Sequence, residues 1–95
     1  MLSLINYMNE QKKTILILVG RGKSTLTNWI KDLLGEEVNG LEICLGAKYV
    51  IKHQDDIKKE VSSGFKYIIH MESESEIKKL PLGIKRRSLV FKIDF

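Results

Sequence analysis

Apolar residues fall along the chain in two alternating rhythms. Ile15-Leu16-Ile17-Leu18-Val19 is an unbroken apolar run of strand length that ends at Gly20, and such a run suits a strand buried on both faces. Leu26, Trp29, Ile30, Leu33 and Leu34 then recur at steps of three and four. That spacing predicts an amphipathic helix over residues 23–34, with Gly35 as its C-terminal cap and Trp29 in the core. Residues 41–45 alternate apolar and polar, a turn follows at Gly46, and Lys48-Tyr49-Val50-Ile51 reads as a further short strand. Asp55 and Asp56 suit the first turn of a short helix that buries Ile57 and Val61 and ends at Ser62-Ser63-Gly64. Residues 65–71 read as a central strand. The polar stretch 73–81 is a loop or a single helical turn stopped by the lone proline, and residues 88–95 form a last strand through Leu89, Phe91 and Ile93.

Strands alternating with helical patterns predict an α/β fold, a small and mostly parallel sheet flanked by helices and P-loop-like in its opening. At 95 residues the chain is expected to form a single domain, residues 1–95 together, close to the size at which burial only just offsets chain entropy. In sheets of this kind ligands sit at the carboxyl ends of strands, and Gly20 to Ser24 falls there.

The chemistry of that junction sharpens the picture. In Gly20-Arg21-Gly22-Lys23-Ser24-Thr25, glycines let backbone N–H groups approach oxyanions, Lys23 supplies charge, and Ser24 stands where a hydroxyl can hold Mg²⁺ at a helix N-terminus. The full pattern places an earlier glycine five residues before Gly22, where this chain has Ile17, so the strand ends early or the loop is short. The plainer alternative is a glycine turn between strand and helix with Ser24 as N-cap. Asp55 and Asp56 serve equally as helix-start acids without metal.

A content of 43% hydrophobic and 29% charged residues is ordinary for a globular protein, and no apolar run approaches the ~18–20 residues of a membrane span. The first ten residues lack the basic start of a secretory signal. With one cysteine, Cys44, most simply a small buried hydrophobe, the expectation is a reducing, cytoplasmic setting. The net charge is +4, and its excess lies late: residues 1–48 carry six basic and five acidic side chains, residues 49–95 ten and seven. Lys78, Lys79, Lys85, Arg86 and Arg87 form the densest basic cluster, read either as a solvated surface or as a contact for phosphates. His53 and His70 have no Cys or His partner at metal-ligand spacing.

Taken in order, these segments resemble a compressed ATPase core of superfamily 3 helicases, the AAA+-related replication proteins of small DNA viruses and plasmids. Residues 20–30 resemble that family's Walker A loop and helix. Tyr49-Val50-Ile51-Lys52-His53-Gln54-Asp55-Asp56 is similar to a Walker B strand closing in paired acids. Residues 65–72 and 83–91 resemble the sensor strand and the arginine-bearing segment with its final strand. The family's sensor strand ends in a polar residue that orients water, for which this chain offers His70, Glu72 or Ser73.

The resemblance implies ATP and Mg²⁺ as cofactors, with Lys23 on the β- and γ-phosphates, Ser24 as a metal ligand, and Asp55 or Asp56 holding the ion's water shell and polarising the nucleophile. Arg86 or Arg87 would act in trans, which calls for a homo-oligomer or a larger ATPase partner. The reading is therefore a small nucleotide-binding protein, viral or from a mobile element and tied to DNA replication, in the cytosol of a host cell if viral. A non-enzymatic interaction module on a degenerate ATPase core is the alternative, and a basic nucleic-acid-binding domain ranks third.

Overall fold

The computed structural model describes residues 6–8, 10–11, 13–34, 42–59 and 66–93. Four strands form one parallel sheet: β1 (Ile15–Gly20), β2 (Glu42–Leu45), β3 (Tyr67–Met71) and β4 (Ser88–Ile93), in the order β2-β3-β1-β4. Among the described residues five helices connect them: α1 (Lys23–Leu34), α2 (Ala47–Lys52), α3 (Gln54–Lys59), α4 (Glu74–Ile77) and α5 (Leu82–Arg86). The α/β class and the flanking helices are as the pattern predicted, and the sheet is parallel throughout.

The strand compositions follow their places. β1 lies between β3 and β4, with Ile15 opposite both Tyr67 and Ser88, and its residues 15–19 are buried on both faces. The edge strands β2 and β4 are mixed in polarity and partly exposed, as strands with one free side must be.

The two faces of β1 feed two cores. Ile15, Ile17 and Val19 pack with Ile69 and Met71 under Ala47, Val50, Ile57, Leu80 and Ile84, which covers one face with α2, α3 and α5. Leu16 and Leu18 pack with Ile68, Ile93 and Met8 under Leu26 and Ile30, which covers the other with α1 and the helical turn around Met8. The connection leaving β1 travels toward β2 and the one leaving β3 travels toward β4, on opposite faces. Their carboxyl ends therefore flank a topological switch point, where an open α/β sheet leaves a crevice.

Two expectations need correction. Residues 48–51 are not a strand but the body of α2. Within α2 the buried positions are Ala47 and Val50, one helical step of three apart, while Tyr49 and Ile51, whose apolar character suggested alternation, are exposed. Trp29 is not in the core: it is 51% exposed, and Leu33 47%. The buried stripe of α1 runs instead through Leu26, Thr27 and Ile30, so the helix is rolled toward Thr27. Val61 and residues 62–64 lie outside the described residues, as does Gly35. Among the described residues no helix is long and apolar enough to cross a membrane.

Candidate anion site at the carboxyl edge of the sheet

Only Arg21 and Gly22 separate the end of β1 from the start of α1. Gly20 and Gly22 both take positive φ, 115° and 92°, which lets the chain reverse so quickly. At Gly20 there is a second constraint: a Cβ there would overlap the carbonyl oxygen of its β4 partner Ile93. The first glycine of the loop is thus required by sheet packing, independent of any ligand.

Gly22 O accepts from Leu26 N–H at 2.9 Å, so the helix begins at Lys23 and Ser24 is its second residue, exposed, rather than its N-cap. The N–H groups of Lys23, Ser24 and Thr25 precede the first intrahelical bond and point along the helix axis toward the crevice. Lys23 folds back over the same turn, its ammonium donating to Gly20 O at 2.7 Å. An ammonium has three protons, so two remain for other acceptors.

Behind the loop a polar chain ties α1 to β3. Thr27 Oγ1 donates to Lys23 O at 2.8 Å and stands 2.8 Å from His70 Nε2. The hydroxyl has a single proton, committed to the Lys23 carbonyl, so the ring nitrogen is the donor and the neutral imidazole carries its hydrogen on Nε2. Burial, and then the Lys23 charge, hold His70 below its ordinary pKa of 6.5, which favours that neutral ring. His70 is therefore a neutral donor that fixes the helix start against the sheet. It accounts for the burial of Thr27, at 2% exposure, on a helix face that would otherwise take an apolar residue.

Past β3, Glu76 gathers the chain: its carboxylate accepts from Glu72 N–H at 2.9 Å and from Ala47 N–H at 3.4 Å, joining the starts of α4 and α2. Glu74 pairs with Lys92 on the exposed rim at 2.7 Å. Ser73 Oγ shares a 2.7 Å bond with Ser75 Oγ.

The residues singled out in the sequence are distributed unevenly. Gly20, Arg21, Gly22, Lys23, Ser24 and Thr25 form the continuous turn just described, with His70, Glu72 and Ser73 at the end of the neighbouring strand. Asp55 and Asp56 are exposed in the first turn of α3, which packs on the face of the sheet opposite α1. They follow a helix rather than closing a strand, so the Walker B geometry expected of them is absent, and Ser24 and Asp55 belong to elements on opposite faces. Among the described residues no group of three His, Cys, Asp or Glu side chains is placed to hold a metal ion.

Arg86 and Arg87 precede β4, at the amino edge, the length of a six-residue strand from the loop, or about 20 Å. Arg86 is exposed and Arg87 Nη1 donates to Gly83 O at 2.8 Å. Neither reaches the loop of its own chain. Cys44 is buried, and burial, then Glu42, push its thiol up to about 11, so it stays protonated and inert.

Sequence reading missed Thr27 and Glu76. For Glu76 a signal exists, since Ser73-x-x-Glu76 is the spacing of a capping box, although here the carboxylate reaches the Glu72 amide instead. For Thr27 there is none, because its partner His70 is brought to it only by the pairing of β1 with β3. Comparison with known protein families, curated proteins and solved structures finds no match.

Proposed function

We propose that the turn Gly20–Thr25 binds the phosphate chain of a nucleotide, ATP with its Mg²⁺ foremost, and that the protein is a small cytoplasmic nucleotide-binding protein of P-loop type related to a viral or plasmid replication ATPase. The observation that carries this reading is the convergence of three things at one switch point: a glycine turn, the first turn of a twelve-residue helix, and the Lys23 ammonium folded over both. The spread of Asp55, Asp56, Arg86 and Arg87 over other edges favours binding without hydrolysis by a single copy.

Magnitudes set the affinity to look for. A partly buried helix end contributes up to about 2 kcal/mol, and hydrogen bonds to a charged group such as Lys23 add about 1.5–3 kcal/mol. Two or three loop amides at about 1 kcal/mol each bring the sum to roughly 5–8 kcal/mol, which corresponds to dissociation constants from about 200 μM down to a few micromolar. Calorimetric titration with Mg-ATP and Mg-GTP, run beside Lys23→Ala at matched salt, is the test. Binding in that range lost in the variant, with its melting temperature retained, supports the site. Absence of binding in both chains would overturn it and leave the interaction-module reading.

A further inference from the structure

Six cations converge on one limb of the molecule. Lys78 and Lys79 form the turn after α4, Lys85 and Arg86 end α5, Arg87 leads into β4, and Lys13 joins them from the segment ahead of β1. Lys13 Nζ donates to Arg86 O at 2.8 Å, Lys85 Nζ to Lys78 O at 3.2 Å, and Arg87 Nη1 to Gly83 O at 2.8 Å. Every acceptor is a neutral backbone carbonyl. Among the described residues, none of the six has a carboxylate at ion-pair distance, and the sequence from Lys78 to Ile93 contains no acid. Glu76, one turn before Lys79, spends its carboxylate on the Glu72 and Ala47 amides, Glu74 pairs with Lys92, and neither Glu72 nor the exposed Glu10 is within ion-pair distance of these six cations.

Like charges held together raise the energy of the folded chain unless an anion offsets them. Here the fold adds to the clustering, because Lys13 is remote in sequence and is fixed against Arg86 by its own ammonium. We infer that this limb is a docking face for the phosphodiester backbone of duplex nucleic acid, distinct from the turn at the carboxyl edge. The exposed apolar neighbours choose among polyanions. Single-strand binding relies on aromatic side chains on which bases stack, and residues 78–88 contain none; the exposed Phe91 alternates in phase with Leu89 and Ile93 on the α1 face of β4, opposite α5, and the exposed Tyr7 neighbours Met8 of that same core. A lipid surface needs an apolar wedge, and Leu82, at 62% exposure, is the lone exposed leucine on this limb.

The limb predicts a salt dependence. With Arg87 half-buried on Gly83, about three to five phosphates are neutralised, so the logarithm of the binding constant falls against that of salt with a slope of roughly −3 to −4.5. Fluorescence anisotropy with a labelled 20-base-pair duplex of arbitrary sequence measures it. Removing the exposed charges in the triple variant Lys78→Gln, Lys79→Gln, Arg86→Gln should flatten the slope by about 2–3 and weaken binding at least tenfold at low salt. The triple Lys31→Gln, Lys48→Gln, Lys52→Gln takes the same charge from exposed sites elsewhere and should leave the slope unchanged. Lys23→Ala should retain duplex binding, which separates this face from the nucleotide site. No salt-dependent binding to the duplex, equal losses in the two triples, tighter binding to the matching single strand, or capture only by phosphatidylserine vesicles would each overturn the inference.

Discussion

Gly20 has to satisfy its neighbours before it can serve a ligand. Its φ of 115° is a conformation that side chains rarely adopt, and the Ile93 carbonyl occupies the place of a Cβ. Gly20→Ala is expected to destabilise the fold by about 2–4 kcal/mol, the sum of backbone strain and a forced shift of β4, read as a lowered midpoint in urea with an unchanged slope. At His70 the consequence is one of pH. Its pKa in the folded chain lies below the ordinary 6.5, so the unfolded chain takes up the proton first as pH falls. The stability that its neutral form supplies is fully present above about pH 6.5 and is lost as pH drops through the lower, folded value. In His70→Gln the amide still donates to Thr27 but does not titrate. The stability difference between wild type and variant should therefore shrink from pH 7.5 to pH 5, measured by denaturant unfolding at several pH values. A constant difference would mean that the His70 ring does not titrate differently in the two states.

Among the elements, α1 shows what periodicity can and cannot tell. Its bounds were legible in the sequence because Lys23 to Leu34 holds no glycine or proline and its apolar residues keep helical steps. Its orientation was not, because the hydrogen bond from His70 draws Thr27 inward and turns Trp29 and Leu33 outward. Two substitutions test that roll: Ile30→Ala, at a fully buried site, is expected to cost about 2–4 kcal/mol, while Leu33→Ala should stay within about 0.5 kcal/mol. Similar losses from both would place Leu33 in the core after all. The segment 47–52 was misread for a related reason. Tyr49-Val50-Ile51 has β-forming composition, and only the burial of Ala47 and Val50, three residues apart, shows which period the fold uses. A short apolar run does not separate the two.

For the molecule as a whole, an α/β class with a parallel sheet could be read from the succession of elements, and the loop Gly20–Thr25 from its residues. The order β2-β3-β1-β4 could not, since no local pattern says which strand pairs with which. The same holds for everything assembled across strands: the contact of Thr27 with His70, the Glu76 carboxylate on the Glu72 and Ala47 amides, and Lys13 beside Arg86. The placement of the first strand also bears on how the chain acquires its shape during synthesis. Among the described residues β1 has no strand partner in the stretch that soon follows it; it waits for β3 on one side and for β4 on the other. A nascent chain leaving the ribosome would carry its most apolar segment unpaired until nearly all of the described sheet had been translated. Such a sheet closes late and through contacts remote in sequence, which slows folding and leaves Ile15 to Val19 available to chaperones in the meantime.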